Sequence, residues 1–117
     1  EERAVAIFGD SSFFHSALPA LCIAVHNRSR ALIIVLDNRS TATSGLQSNP
    51  GVDRDARGRF APALDIGEIA RACGLERVFT IEANAPEASL VERFRDALEQ
   101  RGPTLMIVRL DPPAPPP

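Results

Sequence analysis

The chain has 117 residues, 44% apolar and 24% charged, with a formal net charge of −2, the balance of a single soluble domain with one modest core. The arginines gather into no basic stripe, which argues against a nucleic-acid surface, and no apolar run approaches the roughly 20 residues needed to span a bilayer. No signal-peptide pattern is present and nothing points to an oxidising compartment, so a cytoplasmic location is expected.

Glu1-Glu2-Arg3 leads straight into an apolar run with no initiator methionine, as in a piece of a longer chain. Ala4 to Phe8, short and ending at Gly9, reads as a buried strand of a parallel sheet. A helical pattern follows, with Phe14, Leu18, Leu21 and Val25 three and four residues apart and Pro19 expected on its first turn. Ala31 to Leu36 is continuous, β-branched and uncharged, which marks a central strand closed by Asp37-Asn38. Residues 39 to 64 hold few apolar side chains and many turn formers, a long loop of the kind that serves function or is disordered. Its arginines at 54, 57 and 59 read as solvated and mobile.

Asp65 and Glu68 have the spacing of a helix N-cap and its capping-box partner. Ile66, Ile69, Ala70 and Cys73 supply the apolar face, and Gly74 the stop. Val78 to Ile81 is a third strand. Pro86 opens a helix that turns Leu90, Val91, Phe94 and Leu98 inward, and Leu105 to Leu110 is a fourth strand. Residues 1–110 form the domain, and the proline-rich residues 111–117 form a disordered tail or linker. The fold class is therefore α/β, a mostly parallel sheet of about four strands with flanking helices. Cys22 and Cys73 have no C-x-x-C or metal spacing, so they read as small buried hydrophobes and hold no iron–sulfur cluster alone.

In such sheets ligands bind beyond the carboxyl ends of the strands, here Gly9-Asp10-Ser11-Ser12 and Asp37-Asn38-Arg39-Ser40-Thr41. If the two strands are neighbours, Asp10 and Asn38 reach one point. Gly9 permits close backbone approach, and Ser11 and Ser12 precede a helix whose first N–H groups attract an anion such as phosphate. Asp10 would repel a bare phosphate. Magnesium between them, held by one carboxylate plus phosphate oxygens, resolves the conflict. The Asn38 side-chain oxygen and a main-chain carbonyl after it can add ligands, and Thr41, Thr43 and Ser44 can donate to phosphate. On residue chemistry alone, an aspartate closing a strand serves equally as a cap or turn former.

Gly9-Asp10-Ser11, followed at a distance by Asn38, resembles the thiamine-diphosphate motif that begins Gly-Asp-Gly and ends in asparagine. The longer blocks Gly-Asp-Ser-Ser-Phe-Phe-His-Ser at 9–16, Leu-Asp-Asn-Arg-Ser-Thr-Ala-Thr-Ser-Gly-Leu-Gln at 36–47 and Asn49-Pro50-Gly51 are similar to the indolepyruvate branch of the 2-oxoacid:ferredoxin oxidoreductases. Ala63-Leu64-Asp65-Ile66 matches as well, and the likeness runs from about residue 4 to about residue 109.

The resemblance implies a thiamine-diphosphate-binding fold lacking its first strand and helix. It implies Asp10, the Asn38 side chain and the Ser40 main-chain oxygen on Mg2+, and Gly9, Ser11, Ser12, Thr41 and Thr43 along the diphosphate. The loop from Gly45 to Gly51 would close over that end of the cofactor. It also implies oxidative decarboxylation of a 2-oxoacid to acyl-CoA, with coenzyme A and ferredoxin as partners and iron–sulfur clusters elsewhere in the assembly. A partner domain or subunit would supply the aminopyrimidine half-site, making a homo- or hetero-oligomer. Ser11 in place of glycine, Asp37 in place of a first asparagine, Thr43-Ser44 and Leu46 depart from the wider pattern and touch loop packing more than the metal.

His15, beside the expected diphosphate, is a candidate for proton transfer in the assembled site or for an interface or capping role. His26 reads as a solvated residue at a helix end. Three other readings stand beside the main one. A non-oxidative 2-oxoacid decarboxylase would use the same cofactor site. A scaffold would keep the fold and bind nothing. A Gly-Asp-Ser hydrolase would use Ser11 as nucleophile, although both histidines precede residue 27 and no late Asp-x-x-His supplies the base.

Overall fold

The computed structural model describes residues 3–39 and 48–111. Four strands, β1 (Val5–Gly9), β2 (Leu32–Asp37), β3 (Arg77–Glu82) and β4 (Thr104–Arg109), form one sheet in the order β1-β2-β4-β3. Every neighbouring pair is parallel, so all four carboxyl ends lie along one edge. The expected α/β class holds, and β2 is central as its uncharged run predicts.

The helices are α1 (Asp10–Ser12), a π-helical turn (Phe13–Ala17), α2 (Leu18–His26), α3 (Ile66–Ala72) and α4 (Glu87–Glu99). The chain advances across the sheet from β1 to β2 to β3, then turns back to place β4 inside. Right-handed crossovers require the returning helix to lie on the opposite face, and α4 does. On the first face Phe13, Leu21, Ile33, Val35, Ile66, Leu105 and Ile107 form the larger core. On the second, Leu32, Ile34, Ile81, Ala97, Met106 and Val108 form the smaller.

Several expectations are refined. β1 is an edge strand and not a buried one: Val5 and Ile7 are 47% and 62% exposed, because α4 covers the β4–β3 side of that face. On α4, Leu90 and Phe94 pack inward with Ala97, while Val91 and Leu98 are about half exposed. Pro86 is the N-cap of that helix, one residue before its first turn.

Pro19 does sit at the start of α2, but helical backbone already runs from Asp10. The Leu18 N–H reaches back to the Phe13 carbonyl, a five-residue step in place of the usual four. Proline offers no N–H and its ring crowds the carbonyl one turn back; the wider π turn just before it accommodates both faults.

The Asp65 side chain accepts the Glu68 N–H at 2.8 Å, as the cap reading requires, and Gly74 stops α3 with φ +96°. At the amino edge of the sheet the Arg3 guanidinium donates to the carbonyls of Gln100, Ala31 and Gly102, tying β1 to the start of its neighbours. Among the described residues no helix is long and apolar enough to cross a membrane.

Candidate functional site

β1 and β2 are neighbours, with Gly9 in register with Leu36, so the condition for bringing Asp10 and Asn38 together is met. Gly9 ends β1 in an extended conformation and caps the helical run. Asp10 is its first residue and only 3% exposed. Burying a carboxylate is costly without partners, and one is visible: Asn49 Nδ2 donates to Asp10 Oδ2 at 3.1 Å. Asn49 is itself 6% exposed, and its Oδ1 accepts the Gly51 N–H at 2.8 Å. The Asn49 amide thus ties the far loop back onto the strand end.

The Asn49-Pro50-Gly51 turn is close-packed from the other side. A Cβ on Gly51 would lie 2.9 Å from Phe14 Cε2, so glycine is needed for the ring to approach. Phe14 in turn meets Phe13 edge to face, with centroids 5.4 Å apart. Asn49 was not among the site residues expected from sequence. The signal available was an Asn-Pro-Gly turn, which says where the chain bends and not what the amide faces.

At the end of β2, Arg39 has φ +55° and its N–H donates to Asp37 Oδ1 at 3.2 Å, a turn that closes the strand. Burial pushes the Asp37 carboxyl above its ordinary range and the Asp10 carboxylate adds to this, opposed by the Arg39 N–H and by the charges of Arg39 and Arg109. Two carboxylates therefore share the edge of β1 and β2. A cleft of about 690 Å³ runs from there over the ends of β4 and β3, lined among others by Asp37, Arg39, Asp65, Thr80 and Arg109.

Ser11 is half-buried beside Asp10, Ser12 is exposed, and Asn38 is half-buried at the end of β2. His15 is exposed on the π turn and His26 is exposed at the end of α2. Ser40, Thr41, Thr43, Ser44, Gly45 and Leu46 lie outside the described residues, as does the expected tail beyond residue 111. The loop arginines at 54, 57 and 59 are exposed; Asp55 accepts from the N–H groups of Arg57 and Arg59 and pairs with the Arg59 guanidinium at 2.8 Å. Both cysteines depart from the buried reading, Cys22 being exposed and Cys73 intermediate.

The donor set bears on the implied cation. Among the described residues no three His, Cys, Asp or Glu side chains converge as a metal site. A cation here would rely on one carboxylate, amide and main-chain oxygens, and oxygens of its ligand, which is the pattern magnesium adopts with phosphates. Among the described residues, a Cβ added at Gly9 would meet nothing within 4 Å. No described neighbour requires a glycine there for packing.

A parallel sheet with a buried aspartate at the first strand end defines a class once the chain is compared with known proteins. Residues 1–108 match the family described as thiamine pyrophosphate enzyme, C-terminal TPP binding domain, and the chain belongs to that family. Within it, the chain is 44% identical over 109 residues to indolepyruvate oxidoreductase subunit IorA of Methanothermobacter marburgensis, covering 92% of this chain and 17% of that protein. The Thermococcus kodakarensis subunit of the same name is 39% identical over 105 residues, 90% of this chain and 16% of that protein. The chain thus spans about a sixth of the length of the curated relatives it matches.

Among solved structures, a putative thiamin diphosphate-dependent enzyme from Mycobacterium smegmatis superposes with TM-score 0.67 at 27% identity, covering 97% of this chain and 19% of that one. The 4-hydroxybenzoylformate decarboxylase of Rhodococcus jostii RHA1, at TM-score 0.64 and 23% identity over 97% of this chain and 20% of its own, shares the fold. Family membership sets aside the hydrolase reading of Ser11.

Proposed function

We propose that this domain holds the diphosphate of thiamine diphosphate through Mg2+, within an indolepyruvate-type 2-oxoacid oxidoreductase that decarboxylates its substrate oxidatively to an acyl-CoA and passes electrons to ferredoxin. The observation that carries the reading is the buried Asp10 carboxylate, set at the exit of β1 beside the end of β2 and oriented by Asn49. Asp10 and Asn38 would hold the cation with the Ser40 main-chain oxygen. Gly9, Ser11, Ser12, Thr41, Thr43 and Gly45 would line the diphosphate.

When bound, the cofactor supplies the carbanion-stabilising chemistry of 2-oxoacid decarboxylation. The chain's own part is to bind and orient. Asn49 donates to one oxygen of the Asp10 carboxylate and so restricts its rotation. A carboxylate with settled geometry loses little freedom on taking a cation. Phe13 and Phe14 back the turn with apolar surface, and His15, exposed one residue further on, would serve in proton transfer at the diphosphate end or in an interface or capping role. The rest of the protein would supply the aminopyrimidine half-site, the coenzyme A site and the iron–sulfur clusters, in a cytoplasmic oligomer. The IorA subunits with which this chain aligns support the oxidoreductase reading.

Titration calorimetry of thiamine diphosphate into the longest natural form of the protein with its partner subunit tests this. Binding is expected to be saturable and to require magnesium. Asp10→Asn, which keeps size and removes charge, should weaken it on the order of 100-fold, about 2.7 kcal/mol. Binding that is unchanged by Asp10→Asn or by chelation would overturn the site; no binding by the folded, partnered protein would return the weight to a scaffold.

A further inference from the structure

Cys22 projects from the middle of α2 and Cys73 caps the end of α3. Although 51 positions apart in sequence, their Sγ atoms lie 3.3 Å from one another. Both helices pack on the same face of the sheet, where Leu21 and Ala70 are core residues and Val25 and Ile69 pack against them. The contact is therefore fixed by the packing of two helices and not by a loop. A disulfide bond is about 2.05 Å long, so closing this pair needs roughly 1.3 Å of combined movement, within reach of small side-chain rotations.

We propose that Cys22 and Cys73 are a reversible dithiol–disulfide pair, a redox modification site that ties α2 to the end of α3. The inference does not depend on the cofactor reading. The two thiols differ in a way that orders the chemistry. Cys22 is exposed, whereas burial, followed by its contact with Cys22, pushes the Cys73 thiol up. Thiolate is the reactive form, so Cys22 reacts first with a small-molecule disulfide such as oxidised glutathione. Its sulfur bonds to one sulfur of the oxidant and expels the other as a thiolate. Cys73 sulfur then attacks Cys22 Sγ, forming the internal S–S bond and expelling the second thiolate. The two cysteines lose two electrons, which reduce the oxidant to two thiols, and the two protons released by the cysteines end on those thiols.

The bond would cross-link the helix that begins at Asp10 to the helix capped by Asp65, whose side chain lines the cleft. It lies away from the strand ends, so it alters how firmly the two helices are held without touching the site itself.

The test is peptide mapping of the intact natural protein with its partner subunit, equilibrated in glutathione buffers from fully reduced to fully oxidised, alkylated and digested with trypsin. Cleavage after Arg3, Arg28, Arg71 and Arg77 isolates each cysteine. The expected product in oxidising buffer is peptide 4–28 joined to peptide 72–77, two hydrogens lighter than their sum and separated by reductant. Cys73→Ser should trap glutathione on Cys22, and Cys22→Ser should slow oxidation of Cys73, which then has no mixed disulfide within reach to attack. Hydrogen exchange over residues 66–77 should slow on oxidation of the wild type and not of either variant. A wild type that carries glutathione on Cys22 while Cys73 remains open to alkylation would overturn the proposal, as would both cysteines staying alkylatable in oxidising buffer.

Discussion

The two faces of the sheet are finished to different degrees. On one, the helical run from Asp10 to His26 and helix α3 close over β1, β2 and β4, and Phe13, Leu21, Val35 and Leu105 are at 0–1% exposure. On the other, α4 closes over β4 and β3, burying Met106 and Ala97 completely, while Val5, Ile7 and Leu36 at the β1 side remain 47%, 62% and 38% exposed. The complete face is the one that carries the buried aspartate. Close packing beneath a side chain holds it in one geometry, so the difference between faces is that one fixes the aspartate at the strand exit and the other leaves its β1 side open.

That contrast can be broken most severely at Phe13. Phe13→Ala removes a fully buried ring at the first turn after Asp10, and about 3–5 kcal/mol of stability should go with it. Urea denaturation would measure the loss, and thiamine diphosphate binding should fall with it. A loss under about 1 kcal/mol would mean the ring is not part of a closed core. Gly51→Ala acts on the same face from the loop side. Its methyl would press on Phe14 at 2.9 Å, and overpacking of this kind costs about 1–3 kcal/mol. The urea midpoint should drop, and cofactor affinity should drop further than stability alone explains, because the turn also carries Asn49. Ile7→Thr on the open face sharpens the comparison at the small end. It should change the stability of the isolated chain by no more than about 0.5 kcal/mol. A substantially larger loss for the same change in the full-length assembly would show that this face is covered there.

What sequence reveals here is what local chemistry controls. Strands announce themselves as uncharged apolar runs, the Asp65 cap and Gly74 stop lie within a few residues of the helix they bound, and Asp10 and Asn38 each follow a strand. Parallel pairing of β1 and β2 then brings two strand ends together, which periodicity allows and the register fulfils. Contacts between distant segments are a different matter. That β4 inserts between β2 and β3 is not written in any one segment, and with it goes the exposure of β1, which reads as buried when taken alone. Asn49 reaches Asp10 across 39 positions, and Cys22 meets Cys73 across 51. Each depends on how whole elements stack, and a residue type by itself carries no trace of it.

The π turn at residues 13–17 acts as a phase shifter. In an α-helix each residue advances the side-chain direction by about 100°, so one residue more or fewer between Asp10 and Leu21 would swing the aspartate out of line with the core below it. The wider turn takes up one additional residue in place. Asp10 keeps its position at the strand exit while Leu21 keeps its seat against the sheet. Removing one residue from this turn would restore an ordinary helix with its two ends still aligned, whereas adding a second would swing them apart by about 100°. The turn therefore takes up a change in length that the regular helix on either side of it could not.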